Sequence, residues 1–215
     1  MRPEANRKLN QGFHGSVSYP PELFNTAHWY ACRTRARAEK AVHRSFEEQG
    51  FESYLPLVYQ ERQWADRKKR VAFPLFPGYV FARFTLRDTT EILRPPGVAN
   101  IAQPSGYPTP VRDEELESVR RLVDGVNEKG VLPTTEDYPE AGEEVEVISG
   151  PFRGMRGTLS EVRGRSRVCL RLWPIRHAVG VDIPRSMVRS VPDGLRRPSA
   201  PISVGTLRCT SQRRW

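Results

Sequence analysis

From residue 28 onward the apolar positions first alternate, then recur at helical spacing, then alternate again. His28 to Arg33 has strand character through Trp29 and Tyr30, and Ala38, Ala41, Val42, Ser45 and Phe46 then repeat as one face of an amphipathic helix until Gly50 supplies a stop. Phe51 to Gln63 is aromatic and β-branched enough to be extended, the polar run Ala65 to Arg70 predicts an exposed hairpin tip, and Val71 to Phe76 predicts the returning strand. Pro77-Gly78 breaks that strand, and Tyr79 to Phe84 alternates as the next. Asp88 is placed to cap a short helix that ends before Pro95-Pro96, and Val98 to Ala102 and Thr109 to Val111 predict short strands. A last helix is predicted with Asp113 as its cap, Glu114 and Glu115 complementing its positive end, and Leu116, Val119, Val123 and Val126 as its apolar stripe. Strands interleaved with two packing helices make an α/β sandwich.

Asn127 to Glu140 holds two prolines, a threonine pair and four acids against one lysine, a linker composition. Beyond it the period changes. Val145 and Val147, Leu159 and Val162, Val168 to Leu172, Val179 to Ile183, and Val188 and Val191 predict five short strands separated by glycine and proline turns, the pattern of a small barrel. The expected layout is therefore α+β in two units: a flexible tail over 1–25, a sandwich over 26–126, a linker over 127–140, a barrel over 141–192, and a basic tail over 193–215. The linker offers few apolar groups, so the two units are expected to move independently. The second unit is expected to stay β-structured, because a helical form would place Pro174, Gly180 and Pro184 in or beside helices, at about 3 kcal/mol per proline and about 1 per glycine.

Hydrophobic content of 38% suits modest cores, and no apolar run approaches the roughly 20 residues of a membrane helix. The N-terminus lacks the apolar centre of a signal peptide, so a cytoplasmic monomer is the expectation. Cys32, Cys169 and Cys209 fall in no metal or disulfide spacing, and His14, His28, His43 and His177 form no nucleophile-base pair, so neither a catalytic residue nor a cofactor or metal is expected. A formal charge of +9 invites a nucleic-acid partner, yet the tail 193–215 holds five arginines against one acid, leaving neither folded unit strongly basic.

Pro74-Leu75-Phe76-Pro77-Gly78-Tyr79-Val80-Phe81 closely resembles the most distinctive motif of the NusG family of transcription elongation factors. The resemblance extends to Trp29-Tyr30, to the Glu39–Phe46 helix, to Arg94-Pro95-Pro96-Gly97-Val98 and to Gly106-Tyr107-Pro108-Thr109-Pro110-Val111, in the same order and at similar spacing. Gly142, Val145, Val147, Gly150-Pro151-Phe152, Gly154, Gly157, Arg167-Val168 and Val181-Asp182-Ile183 resemble the KOW module, the small SH3-like barrel at that family's C-terminus. Such barrels also occur in ribosomal proteins, which keeps a ribosome-associated RNA-binding protein as an alternative; the pairing with the first motif favours the transcription factor.

The resemblance implies a non-enzymatic factor that binds the β′ clamp helices of RNA polymerase through Phe76, Pro77 and Tyr79, with Trp29 and Phe81 as lining. A proline and a glycine between two aromatics make a stiff corner that can present apolar surface at little entropic cost. Arg67, Lys68, Lys69 and Arg70, with Arg62 and Trp64 beside them, are candidates for upstream or non-template DNA, since cations meet phosphates and an aromatic ring can stack on an unpaired base. In the barrel, Phe152, Ile175, Arg176 and His177 are implied as partner-facing, toward the termination factor Rho or the ribosomal protein NusE. The string Trp173-Pro174-Ile175-Arg176-His177 departs from the family by lacking its glycine, which points toward a specialised antiterminator of the RfaH kind and away from the housekeeping factor.

Overall fold

The computed structural model describes residues 20–63, 68–136, 142–162 and 164–192. Both expected tails fall largely or wholly outside these residues, as do Trp64 and Arg67 and the side chain of Arg62. Among the described residues four helices, α1 (Glu22–Asn25), α2 (Glu39–Glu48), α3 (Thr89–Leu93) and α4 (Asp113–Lys129), accompany thirteen strands. The N-terminal strands are β1 (His28–Thr34), β2 (Glu52–Tyr54), β3 (Leu57–Gln63), β4 (Lys68–Pro74), β5 (Tyr79–Phe84), β6 (Val98–Ile101) and β7 (Pro110–Val111). The C-terminal ones are β8 (Thr134–Glu136), β9 (Glu143–Val147), β10 (Arg156–Val162), β11 (Arg165–Leu172), β12 (His177–Asp182) and β13 (Val188–Ser190).

The first sheet runs β2-β5-β1-β6, with β7 also paired to β1, and β1 is its central strand. Strand residues point alternately to opposite faces, and here each face has its own core. Tyr30, Cys32, Val80, Ala82 and Phe84 pack with Val42 and Phe46 of α2, whereas Trp29, Ala31 and Phe81 pack with Leu116, Val119 and Leu122 of α4. Burial pushes the Tyr30 phenol and the Cys32 thiol far above their ordinary pKa values, so Cys32 is an inert packing residue. β3 and β4 form a separate two-stranded hairpin whose base is clamped by α4: the Tyr59 amide donates to Asn127 Oδ1 at 2.9 Å, and Asn127 Nδ2 donates to the Leu57 carbonyl at 3.1 Å.

The second sheet has the order β13-β9-β10-β11-β12-β8, all antiparallel, the sheet-rich arrangement of a KOW or SH3-like barrel with β8 added at the β12 edge. The C-terminal half is thus β-structured, as Pro174 and Pro184 require. Among the described residues no helix is long and apolar enough to cross a membrane.

Several local expectations are corrected. The hairpin tip is narrower than 65–70, because Lys68, Lys69 and Arg70 are already paired in β4, opposite Gln63, Arg62 and Glu61. Asp113 begins α4 and does not cap it; the Glu115 carboxylate reaches back to the Arg112 amide at 3.0 Å and satisfies the helix start from inside. That helix continues past Val126 to Lys129 and stops at Gly130, which takes the left-handed conformation of a C-terminal stop (φ 66°). The stretch 127–140 is accordingly not all linker: its start is helix, and Thr134–Glu136 joins the barrel sheet opposite Gly180, Val179 and Ala178.

Phe46 is fully buried between α2 and the sheet. Phe46→Ala should remove about 3–5 kcal/mol of stability, read as a lowered midpoint in chemical denaturation with near-UV dichroism of the aromatic core as the signal.

Candidate functional site

The corner at Phe76–Tyr79 is held by backbone and by one buried carboxylate. Gly78 takes φ 81°, which its lack of a side chain permits, and its carbonyl accepts from the Thr34 amide at 2.8 Å. Its own amide donates to Glu39 Oε1 at 2.8 Å, and Glu39, only 7% exposed, sits in the first turn of α2. The carboxylate therefore fixes the turn and complements the positive end of its helix. Glu39 was legible in the sequence only as part of a helix; its role depends on a contact across 39 residues of chain.

The five residues expected to form the polymerase anchor divide in two. Phe76, Trp29 and Phe81 are buried in one core cluster, with the Phe76 ring edge-on to Phe81 at 6.0 Å. Pro77 is exposed and Tyr79 is half-buried. Only the latter two reach the surface of the sandwich, and Tyr79 meets another ring there: His177 of the barrel, centroid to centroid 5.6 Å.

His177 is one of the four residues expected to meet partners through the barrel, and all four face the sandwich. Phe152, in the turn between β9 and β10, lies against Gly125 of α4; a Cβ on that glycine would stand 2.5 Å from the Phe152 ring and 2.9 Å from the Pro151 carbonyl. Gly125 is a mid-helix notch that admits an aromatic ring, which accounts for a residue that otherwise weakens a helix by about 1 kcal/mol. Ile175 is buried in the 3-10 turn Trp173–Ile175, which packs on β1 and β7. Arg176 donates to the Pro104 carbonyl at 3.4 Å.

Polar contacts close the rest of the seam. The Arg156 amide donates to Ser118 Oγ at 3.4 Å, and Arg121, ion-paired with Glu117 at 3.0 Å, donates to the Arg153 carbonyl at 3.4 Å and lies over Gly154. An open groove of about 550 Å³ beside these contacts is lined by Trp29, Glu52, Arg83, Glu117, Arg120 and Arg156. Tyr54 lies under one of these residues: burial pushes its phenol up, opposed by the Arg120 guanidinium 5.2 Å from its ring centroid. The expected independence of the two units is therefore corrected. Their apolar surfaces are complementary, and one continuous cluster of buried side chains runs from Trp29 and Val119 through Phe152 and Ile175 to Leu172 and Val181.

On the hairpin, Lys68, Lys69 and Arg70 are exposed, and the Arg70 guanidinium stacks 4.4 Å from the ring centroid of Tyr59, itself 40% exposed. No group of His, Cys, Asp and Glu suited to a metal ion occurs among the described residues.

Comparison with known proteins gives consistent relatives. Residues 27–120 match the family model described as "NusG: Transcription termination factor nusG". The chain is 26% identical over 175 residues to the transcription termination/antitermination protein NusG of Thermus thermophilus, covering 72% of this chain and 94% of that protein. It is 30% identical over 149 residues to the protein of the same name from Staphylococcus aureus, covering 62% of this chain and 79% of that one. Among solved structures, one titled "Domain interaction in Thermotoga maritima NusG" aligns with a TM-score of 0.43 at 24% identity, covering 78% of this chain and 99% of that chain.

Two substitutions test the geometry. Leucine at position 125 occupies the seat of the Phe152 ring, so Gly125→Leu should leave both halves folded but separate them, seen as a larger radius of gyration in solution scattering and loss of the Tyr79–His177 nuclear Overhauser contact. Glu39→Ala leaves the half-buried Gly78 amide without its acceptor and should cost about 1 kcal/mol, measured by urea unfolding.

Proposed function

This chain belongs to the NusG family of transcription termination and antitermination factors, and we propose that it is a non-enzymatic member that binds the β′ clamp helices of RNA polymerase through the aromatic corner at Pro77 and Tyr79. The observation that carries this reading is the corner itself: a rigid turn, pinned by Glu39 and Thr34, that sets a half-buried tyrosine beside exposed Pro77. Phe76, Trp29 and Phe81 shape that surface from beneath as its packed floor. The hairpin cations Lys68, Lys69 and Arg70 are proposed to contact upstream or non-template DNA, and Arg62, Trp64 and Arg67, whose side chains fall outside the described residues, are proposed as their companions.

The barrel is proposed to recruit further partners, Rho or NusE among them, through Phe152, Ile175, Arg176 and His177. Those four residues are turned to the sandwich in the docked arrangement, so both proposed surfaces become available together when the halves part. A factor held shut in this way suits an operon-specific antiterminator better than a housekeeping factor, which must engage every polymerase. The cytoplasm and a monomeric state follow from this reading.

Binding to an isolated β′ clamp-helix fragment tests it. Gly125→Leu should bind more tightly than wild type, because no docking free energy opposes the partner. On that opened background Tyr79→Ala should lose more than tenfold, since truncating an aromatic anchor commonly costs about 2–4 kcal/mol and tenfold takes about 1.4. Reversal of Lys68 and Lys69 should leave the same measurement nearly unchanged. An opened, folded Tyr79→Ala variant that binds the fragment as tightly as its parent would end the clamp-helix assignment.

A further inference from the structure

We propose that the groove at the rim of the seam, where Arg121 of α4 meets Arg153 and Arg189 of the barrel, is a binding site for a small ligand bearing a di- or triphosphate. The groove has a volume of about 410 Å³, which falls within the roughly 300–1,000 Å³ of small-molecule pockets. Glu146, Ile148 and Gly154 contribute to its lining. One of the three guanidiniums therefore comes from the sandwich and two come from the barrel.

Strand register and a missing side chain bring these charges together. Arg189 of β13 and Arg156 of β10 stand directly opposite Glu146 of the intervening β9, so three neighbouring strands carry arginine, glutamate and arginine in one row on one face. Glu146 is committed to one side of that row, with its Oε2 3.3 Å from Arg156 Nη2. Arg189 and Arg153, the latter from the turn before β10, are exposed, and among the described residues no ion pair involves either. Arg121 crosses from the other half. Glu117 holds its Nε at 3.0 Å, and its Nη1 reaches the Arg153 carbonyl at 3.4 Å by occupying the place a Cβ on Gly154 would take. The lining thus sets three guanidiniums against one carboxylate that is already paired, and like charges gathered in one recess are relieved by an anion.

The chemistry selects phosphate. A guanidinium presents a planar fork of donors that matches two phosphate oxygens at once, and three forks from a helix, a turn and a strand suit adjacent phosphates better than a single carboxylate. Ile148, 43% exposed and held by its amide to the Met187 carbonyl at 2.8 Å, adds an apolar wall against which a nucleobase can lie. Nucleoside di- and triphosphates and free inorganic polyphosphate share the phosphate chemistry and differ only in that ring. Docking completes the site, because parting the halves takes Arg121 away from Arg153 and Arg189. A ligand that binds the docked form better than the open one holds the molecule shut in proportion to its concentration. The site depends on the docked seam and is measured without polymerase, so its failure would leave the clamp-helix assignment untouched.

The test is isothermal titration calorimetry of the full chain with ADP, sodium tripolyphosphate and adenosine, in buffer free of phosphate and divalent cations. Wild type should bind ADP or tripolyphosphate at one site per chain, and adenosine at least tenfold more weakly. Arg153→Gln/Arg189→Gln, two exposed positions whose change leaves the fold intact, should lose at least tenfold in affinity at about 100 mM salt, where unspecific charge attraction is screened. Lys68→Gln/Lys69→Gln removes the same charge on the hairpin and should stay within twofold of wild type. Arg121→Gln, which keeps the seam, and Gly125→Leu, shown to be open by its radius of gyration, should each lose at least fivefold. ADP binding more tightly than tripolyphosphate supports the site and assigns it to nucleotides; equal or tighter binding of tripolyphosphate supports it and assigns it to free polyphosphate. No binding of either phosphate ligand to wild type overturns the proposal, as does adenosine binding as tightly as ADP or an equal loss in the hairpin variant. Full affinity in both Arg121→Gln and the opened Gly125→Leu overturns the part that makes the site depend on docking.

Discussion

Two-sided burial of β1 is the constraint on which the molecule depends. Trp29 and Ala31 look toward α4 while Tyr30 and Cys32 look toward α2, so a single strand supplies alternate residues to two separate cores. A slip of one residue in its pairing would exchange the two sets and wreck both. The register opposite β5, with Cys32 against Val80 and Arg33 against Tyr79, also decides where the Phe76–Tyr79 turn emerges. From there Thr34 and Glu39, at the end of β1 and the start of α2, can reach Gly78. Core packing and the shape of the proposed anchor are thus one problem: the side chains that hold the sheet also aim the turn.

The seam between the two halves follows from the same economy. Helix α4 covers one face of the sheet with Leu116, Val119 and Leu122, and its neighbouring face still carries Gly125, Ser118 and Arg121. These three residues match three features of the barrel turn: a ring in a notch, an amide on a hydroxyl, and a guanidinium over a glycine. Gly154 is constrained as tightly as Gly125, since a Cβ there would collide with the Arg121 guanidinium and its φ of 82° already favours glycine. Small residues on both sides let the halves approach closely, and the contact shares the buried cluster that closes each half.

Much of the fold was legible because it rests on local period. The alternation around Trp29-Tyr30, the helical stripe through Val42 and Phe46, and the five β-segments after residue 141 all survive in the structure as elements, though in β10 Leu159 and Val162 are only half-buried while Thr158 takes the buried position. What was not legible depends on pairs distant in sequence. Burial of Phe76 beneath Phe81, reach of Glu39 to Gly78, and seating of Phe152 on Gly125 cannot be read from any window of the chain. The linker misled for the same reason: its composition is polar, but docking is decided by surfaces on either side of it. Exposure of Arg33, Arg35 and Arg37, by contrast, did carry a signal, since arginine at every second position in a strand leading into a loop is placed outward by alternation.

Apolar and basic surfaces behave differently in the docked form, and the difference orders events. Tyr79 is partly covered by His177, and Phe152 and Ile175 are buried, so an apolar partner must displace one half from the other before it gains contact area. Arg33, Arg35 and Arg37 stay exposed beside the same turn, since Arg33 pairs directly with Tyr79 across the sheet. Long-range attraction acts on exposed charge without any opening, whereas hydrophobic anchoring requires it.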